Sequence, residues 1–194
     1  MCSRFELETT AGDLAQRFGL EAAPPMPNTK ELRPTDLSLV IAPDGPKLLS
    51  WGLRMDWDNK PLINARAETL SEKKTFQPLL ESRCLVPATV YFEWRKDGGA
   101  KLKNRIGLGN RGLFAFAGLL DGDRFTIITC APQPGIAHIH NRMPVILEPS
   151  AEARWINPEA PFESVSGLLV PYPSEPLSAE EDAPPPDRQP DLFG

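Results

Sequence analysis

Long apolar runs are absent from this 194-residue sequence. Because no stretch is long enough to cross a bilayer, no membrane association is expected. The first residues lack the basic and then apolar layout of a secretory signal peptide, so we expect a cytoplasmic protein. Histidine and cysteine are scarce, with two and three residues respectively. Without a close cysteine pair a structural metal site is not expected, the scattered cysteines predict reduced thiols, and no cofactor is expected.

A positive net charge is also missing, because 21 basic residues stand against 26 acidic ones and the net charge is −5. The excess of acid lies in residues 175–194, which hold six acids and one base. Subtracting these leaves 20 acids and 20 bases in the rest of the chain, which is therefore neutral. A neutral domain can still present a basic groove to nucleic acid.

Many short β-type segments with a few short helical ones predict an α+β fold, with a curved, barrel-like mixed sheet. Strands are predicted at 37–42, 47–53, 84–94, 112–120, 124–131, 143–148 and 165–170, with a hairpin connection at 95–105. Helices are predicted at 9–20, 71–80 and 151–156. Residues 1–170 are expected to form one domain and to be monomeric. Residues 171–194 hold seven of the 22 prolines and are expected to be a disordered acidic tail.

Cys2 is the residue from which the functional hypothesis starts. If Met1 is removed, Cys2 carries a free α-amine and a thiol, whose reference pKa values are about 8 and about 8.5. Such a 1,2-aminothiol captures aldehydes, because the amine forms a Schiff base and the thiol closes a ring on it. Arg4, two residues away, is expected to lower the pKa of the thiol. The alternative is that a cysteine at this position is accidental.

Further candidates lie in the predicted strands and loops. Glu93 stands among aromatic residues, which favours a buried acid with a raised pKa for proton transfer; the alternative is the polar face of an alternating strand. His138 and His140 could bind a metal together, but a proton-transfer histidine beside Arg142 is the better interpretation. Thr129 could offer its hydroxyl to a ligand or be an ordinary strand residue.

Four motifs occur in a fixed order along the chain. They are Met-Cys-x-Arg-Phe at the start, Leu-Ile-Asn-Ala-Arg-x-Glu-Thr at 62–69, Arg-Cys-Leu-Val-Pro with Phe-Glu-Trp at 83–94, and Ile-His-x-Arg-Met-Pro-Val-Ile-Leu at 139–147. Together they resemble the SOS response-associated peptidase family, whose members sense abasic sites and crosslink to them in single-stranded DNA. The resemblance runs from Met1 to about Val170.

The resemblance implies a barrel-like α+β core with a basic groove for single-stranded DNA. It implies four catalytic residues, Cys2, Asn64, Glu93 and His140, and DNA contacts from Arg4, Arg66, Thr129 and Arg142. Trp57 could stack on an exposed base or pack within the protein. Ser3 departs from the glycine usual in the family at that position.

The expected activity is a covalent thiazolidine crosslink, with lyase-type chemistry, between mature Cys2 and an abasic site in DNA repair. Two alternatives stay open. One is a cysteine peptidase that removes Met1, as the family name suggests, and the other is a non-catalytic adaptor that binds single-stranded DNA.

The last residues contain a second short motif. Gln189, Leu192 and Phe193 have the Gln-x-x-Leu-Phe spacing of peptides that bacterial proteins insert into the replisome's sliding clamp. The tail is therefore expected to bind that clamp, and a proline-rich tether suits the presentation of such a peptide. A random five-residue match is the alternative.

Overall fold

A computed structural model describes residues 2–56, 58–110 and 112–182. Its α-helices within these ranges are α1 (Ala11–Phe18), α2 (Pro149–Trp155) and α3 (Phe162–Val165). Its strands there are β1 (Phe5–Glu6), β2 (Glu31–Leu32), β3 (Leu37–Ala42), β4 (Gly45–Trp51), β5 (Leu53–Met55), β6 (Asp58–Leu62), β7 (Asn64–Arg66), β8 (Arg83–Ala88), β9 (Val90–Asp97), β10 (Ala100–Leu108), β11 (Phe114–Asp121), β12 (Arg124–Cys130), β13 (Met143–Pro144), β14 (Ile146–Leu147) and β15 (Leu177–Glu181). Single turns of 3-10 helix occur at Ala67–Thr69, Gln77–Leu79, Pro134–Ile136 and Ser166–Leu168.

Five strands close into a barrel in the order β4-β3-β8-β11-β12, with β12 returning to β4. The β12–β4 pair is parallel and the other four pairs are antiparallel, so the barrel is mixed. The short strands β7 and β13 add to β12, and β14 adds to β11. The α+β class with a curved, barrel-like mixed sheet is confirmed.

A second sheet of five strands lies beside the barrel in the order β15-β10-β9-β1-β2. Phe5 of β1 joins the two sheets, since its ring packs edge-on against Trp51 and Phe116 with centroids 5.0 and 5.7 Å apart. The two sheets therefore share one hydrophobic core. Burying aromatic rings of this size is a major source of stabilisation.

The chain passes from the barrel to the second sheet at Thr89. The sequence predicts one strand over 84–94, but the structure divides it into β8 and β9. The Thr89 hydroxyl donates a hydrogen bond to the Glu6 carbonyl at 3.1 Å and accepts one from the Glu8 amide at 3.2 Å. These bonds fix the corner after which β9 runs beside the N-terminal strand.

The acidic segment after residue 170 is partly folded. Strand β15 pairs with β10 in antiparallel register, with Glu181 opposite Asn104. Glu181 lies 3.1 Å from Arg95 and Asp182 lies 2.8 Å from Lys103. The disorder expected from residue 171 onward is therefore wrong for residues 171–182, because their acids meet the cations of the neighbouring hairpin.

Several local predictions are confirmed by the strand and helix bounds. Helix α1 begins after Thr10, whose hydroxyl accepts the Asp13 amide, and ends at Gly19 in the left-handed conformation. The hairpin connection predicted within 95–105 has Gly98 and Gly99 at its tip, between β9 and β10. Gly98 has a positive φ of 55°, which glycine adopts without strain.

Two local predictions are wrong. Residues 71–80 form turns and one 3-10 turn instead of a helix, because Pro78 has no amide hydrogen and obstructs the preceding turn. The strand predicted at 165–170 is the end of α3 and a 3-10 turn. The buried residues of this region, Phe162, Val165 and Leu169, recur at helical spacing. Within the described ranges, no helix is long and apolar enough to span a membrane.

Candidate active site

The N-terminal segment carries Cys2 into the core. Only 1% of Cys2 is exposed, and its Sγ donates to the Arg4 carbonyl oxygen at 3.6 Å. The same carbonyl accepts the Phe92 amide at 2.9 Å, and Phe5 pairs with Tyr91 in the β1–β9 ladder. The sheet register therefore holds Cys2 beside β9.

The thiol of Cys2 is in its protonated form. Burial raises its pKa well above the ordinary range, and the nearby charge of Glu93 raises it further. Arg4 lowers this pKa through its backbone, as expected in direction, but burial outweighs the effect. The Arg4 guanidinium itself is paired with Glu31 at 3.2 Å and lies over the Trp94 ring. A thiolate at this position needs both a base and a hydrogen-bond donor.

Asn64 holds the backbone of Cys2. It begins β7, whose parallel pairing with β12 sets Asn64 opposite Ile127. Its Nδ2 donates to the Cys2 carbonyl oxygen at 2.7 Å. Its Oδ1 is buried and has no hydrogen-bond partner among the described residues. This oxygen can accept a hydrogen bond from an amine or hydroxyl that enters the site.

Glu93 lies on the buried face of β9 and is 3% exposed. The alternative of a polar strand face is therefore wrong, because Glu93 shares its face with the fully buried Tyr91. Burial raises the pKa of the Glu93 carboxyl above its ordinary value. This is the environment in which a carboxyl group can both donate and accept protons near neutral pH.

His140 comes from the loop after β12 and faces Glu93. Its Nε2 lies 3.9 Å from Glu93 Oε2, while its Nδ1 accepts the Arg142 amide at 3.0 Å. Burial lowers the pKa of His140, so the ring is neutral at pH 7. Nδ1 also lies 3.2 Å from the Arg142 carbonyl oxygen, so both tautomers of the neutral ring find a partner in Arg142. His138 is exposed, in keeping with a residue outside the site.

Arg142, Glu68 and Thr129 form a linked cluster beside His140. Arg142 makes two hydrogen bonds to the Glu68 carboxylate, at 2.7 and 2.9 Å, and bonds to the carbonyl oxygen and hydroxyl of Thr129 at 2.5 and 3.2 Å. Thr129 is fully buried and donates to the Ala65 carbonyl at 3.2 Å. A direct contact between Thr129 and a ligand does not fit this burial. The Thr129 hydroxyl instead accepts a hydrogen bond from Arg142 and orients it.

A basic cavity of about 540 Å³ opens next to Asn64. Its lining includes Arg66, Lys60 and Lys73, all exposed, together with the single acid Asp58. Within the described ranges these three cations form no ion pair. Trp57, the predicted stacking residue, lies outside the described residues, so its place in the cavity stays a prediction.

Three residues of this region were not predicted as site residues from the sequence. Lys60 and Lys73 carry no motif signal, and only the fold brings them to the same cavity. Tyr91 is fully buried, and its electrostatic partners are Cys2, Glu93 and Cys130. Its position two residues before Glu93 was the available signal, because alternate strand residues share a face.

Two further points concern metal ligands and the predicted clamp-binding motif. In those ranges no group of three or more His, Cys, Asp or Glu side chains could hold a metal ion. The predicted clamp-binding residues Gln189, Leu192 and Phe193 lie outside the described residues, and their role stays a prediction.

Comparison with known proteins gives a consistent result. The family profile described as SOS response associated peptidase (SRAP) matches residues 1–181. The abasic site processing protein YoqW of Bacillus subtilis is 37% identical over 92% of this chain and 91% of its own length. The abasic site processing protein YedK of Escherichia coli is 34% identical over 62% of this chain and 59% of its own length.

A solved structure of a protein from Bacteroides thetaiotaomicron superposes with a TM-score of 0.80. It is 27% identical in sequence and the match covers 93% of this chain and 91% of that one. The profile match extends through β15, so the strand formed by the acidic segment is part of the shared domain rather than an addition to it. The chain belongs to the SOS response-associated peptidase family.

Proposed function

We propose that this protein captures abasic sites in single-stranded DNA through a covalent bond to mature Cys2. The observation that carries the proposal is the hydrogen bond from the buried Asn64 to the Cys2 carbonyl, at the edge of a basic cavity and beside Glu93. The related proteins from Bacillus subtilis and Escherichia coli carry names that describe abasic site processing. This supports DNA with abasic sites as the substrate.

The proposed reaction joins an aldehyde to an aminothiol. Removal of Met1 frees the Cys2 amine, which attacks the C1′ aldehyde of the opened sugar and gives a carbinolamine. Loss of its hydroxyl as water gives an imine. The thiol then loses its proton, sulfur bonds to the imine carbon, and the imine electron pair returns to nitrogen, which takes a proton. The sum is aldehyde plus aminothiol giving thiazolidine plus one water.

Glu93 and His140 divide the proton transfers in this scheme. Glu93, with its raised pKa, protonates the departing hydroxyl and takes the proton of the thiol. His140 is neutral and faces Glu93 across 3.9 Å, so it relays protons or assists at the sugar hydroxyl. Asn64 fixes the Cys2 backbone through Nδ2 and offers Oδ1 to the amine.

The basic residues of the cavity bind the DNA backbone in this proposal. Arg66, Lys60 and Lys73 line it without ion pairs among the described residues, and so can meet phosphates. Arg142 and Arg4 are held by Glu68 and Glu31 respectively, so DNA phosphates must compete with these carboxylates. Affinity is therefore expected to fall steeply with salt and to depend little on sequence.

The test is incubation with single-stranded oligonucleotides that carry or lack one abasic site, followed by a denaturing gel. A shifted band with the abasic oligonucleotide alone is expected. Lesion-independent binding with no denaturation-resistant band would favour the adaptor alternative and refute the crosslink.

The alternative hypothesis is a cysteine peptidase activity of Cys2 that removes Met1. It is based on the family's description. Intact-mass measurement of Asn64→Ala and Glu93→Gln proteins separates it from removal by host enzymes. Retention of Met1 in these variants, with complete removal in the unaltered protein, supports self-processing.

A further inference from the structure

Tyr91 carries a buried hydroxyl that the scheme above does not use. Its side chain is fully buried, and the hydroxyl has no hydrogen-bond partner among the described residues. A buried phenol without a partner is unfavourable and uncommon in folded proteins. A hydroxyl kept in this position therefore calls for a partner that is present at another stage of the protein's action.

The fold places Tyr91 within electrostatic range of the reacting thiol. Tyr91 pairs with Phe5 in the β1–β9 ladder and shares its strand face with Glu93. Its ring packs edge-on against Phe116, with centroids 6.1 Å apart, which restricts the direction of the hydroxyl. Cys2 and Glu93 both act electrostatically on the phenol. The hydroxyl therefore lies in the polar end of the core that also holds the Cys2 thiol.

The thiol itself lacks a donor. Among the described residues, the hydrogen bond of Cys2 Sγ goes to the Arg4 carbonyl, with sulfur as the donor. A thiolate has no proton to give, so ionisation breaks this bond and leaves a buried negative charge facing a carbonyl oxygen. Such a charge is stabilised when a neighbouring group donates a hydrogen bond to it.

We propose that Tyr91 is a positioning residue whose hydroxyl donates a hydrogen bond to Cys2 sulfur as the thiolate forms. The inference rests on the function proposed above. The S–H bond breaks, its proton passes to the Glu93 carboxylate, and the electron pair stays on sulfur. Tyr91 keeps its own proton throughout. Sulfur then bonds to the imine carbon, and the nitrogen recovers a proton from the Glu93–His140 pair.

Other ionisable groups surround this contact and enter any pH measurement. Glu93 is on the same strand as Tyr91, and His140 is on the loop that faces it. Cys130 of β12 is the second thiol that acts on the phenol. The Arg142–Glu68 pair acts electrostatically on Cys130. Burial raises the pKa of Cys130 to about 12, so it stays protonated over the working range.

The test compares Tyr91→Phe with the unaltered protein, both confirmed by mass to lack Met1. The first readout is the rate of Cys2 alkylation by iodoacetamide between pH 6 and 10, followed on the N-terminal peptide by mass spectrometry. The second is the rate of adduct formation with an abasic oligonucleotide. Since a hydrogen bond to a charged group is lost, we expect the alkylation profile to move up by about one pH unit and the adduct to form about tenfold more slowly.

Tyr172→Phe is the matched control, because the chain has two tyrosines and Tyr172 lies in the segment before β15. It should leave both readouts unchanged. A purely structural Tyr91 would change the melting temperature of Tyr91→Phe but neither profile, and that result would overturn the inference. If the unaltered protein forms no adduct, the proposed function fails, while the alkylation profile still decides the role of Tyr91.

Discussion

Replacing Glu93 by glutamine separates the chemistry of the site from its structure. The substitution preserves size and hydrogen-bonding capacity but removes the ionisable proton. General acid–base catalysis by one side chain contributes about 10²–10⁴-fold, or about 2.7–5.4 kcal/mol of barrier. His140 is neutral and lies 3.9 Å away, so it can take over part of the proton transfer. We therefore expect Glu93→Gln to slow adduct formation by about 10²-fold, at the lower end of the range.

At higher pH the same variant should be more stable than the unaltered protein. Burial places the folded-state pKa of Glu93 above the unfolded value, which the reference carboxyl puts at about 4.3. The folded state therefore holds the proton more tightly. The contribution of this group to stability is complete below the unfolded pKa and is lost as the pH rises through the folded pKa. Glutamine cannot lose a proton, so Glu93→Gln should lack this decline.

Two measurements check this prediction. The first is the rate of denaturation-resistant adduct formation from pH 5 to 8, compared between the unaltered protein and Glu93→Gln. The second is urea unfolding at pH 4.5 and pH 8. The exposed Glu72 offers a matched control, because Glu72→Gln makes the same chemical change away from the site. A Glu93→Gln rate within about threefold of the unaltered protein at every pH would refute general acid–base catalysis by this residue.

Three further predictions concern charge pairs and the C-terminus. Glu68→Gln should bind single-stranded DNA up to about fivefold more tightly, because the half-exposed Glu68 carboxylate competes with phosphate for Arg142; weaker binding in a fluorescence titration would contradict this. Glu152→Ala should lower the free energy of unfolding in urea by about 2–3 kcal/mol, since it strands the partly exposed Arg17, and an unchanged midpoint would show that the pair contributes nothing. Deletion of 189–194 should abolish capture of the protein by immobilised sliding clamp without slowing adduct formation, and equal capture of the truncated protein would remove the clamp hypothesis.

Much of the fold could be predicted because its signals are local. The cap at Thr10, the glycine tip of the β9–β10 hairpin and the alternating strands each depend on residues a few positions apart. The folding of residues 171–182 could not be predicted in this way. Their composition is typical of disorder, and only the register of β15 against β10 shows that Glu181 meets Arg95.

For the candidate site, the residues could be predicted from the sequence but their contacts could not. The family resemblance of the four ordered motifs singled out Cys2, Asn64, Glu93 and His140, and the fold brings these residues together. What each side chain contacts depends on tertiary packing, which the sequence does not reveal. Thr129 is turned inward by its place in β12.

Whether the reactive group is the mature N-terminal cysteine can be measured directly by intact mass spectrometry of the adduct. The protein is mixed with a single-stranded abasic oligonucleotide, and the mass of the denatured product is determined. The account predicts the mass of the chain without Met1 plus the oligonucleotide, less one water. It predicts no such species for Cys2→Ala or for a chain that retains Met1. An equally abundant, equally stable adduct with either of these proteins would contradict it.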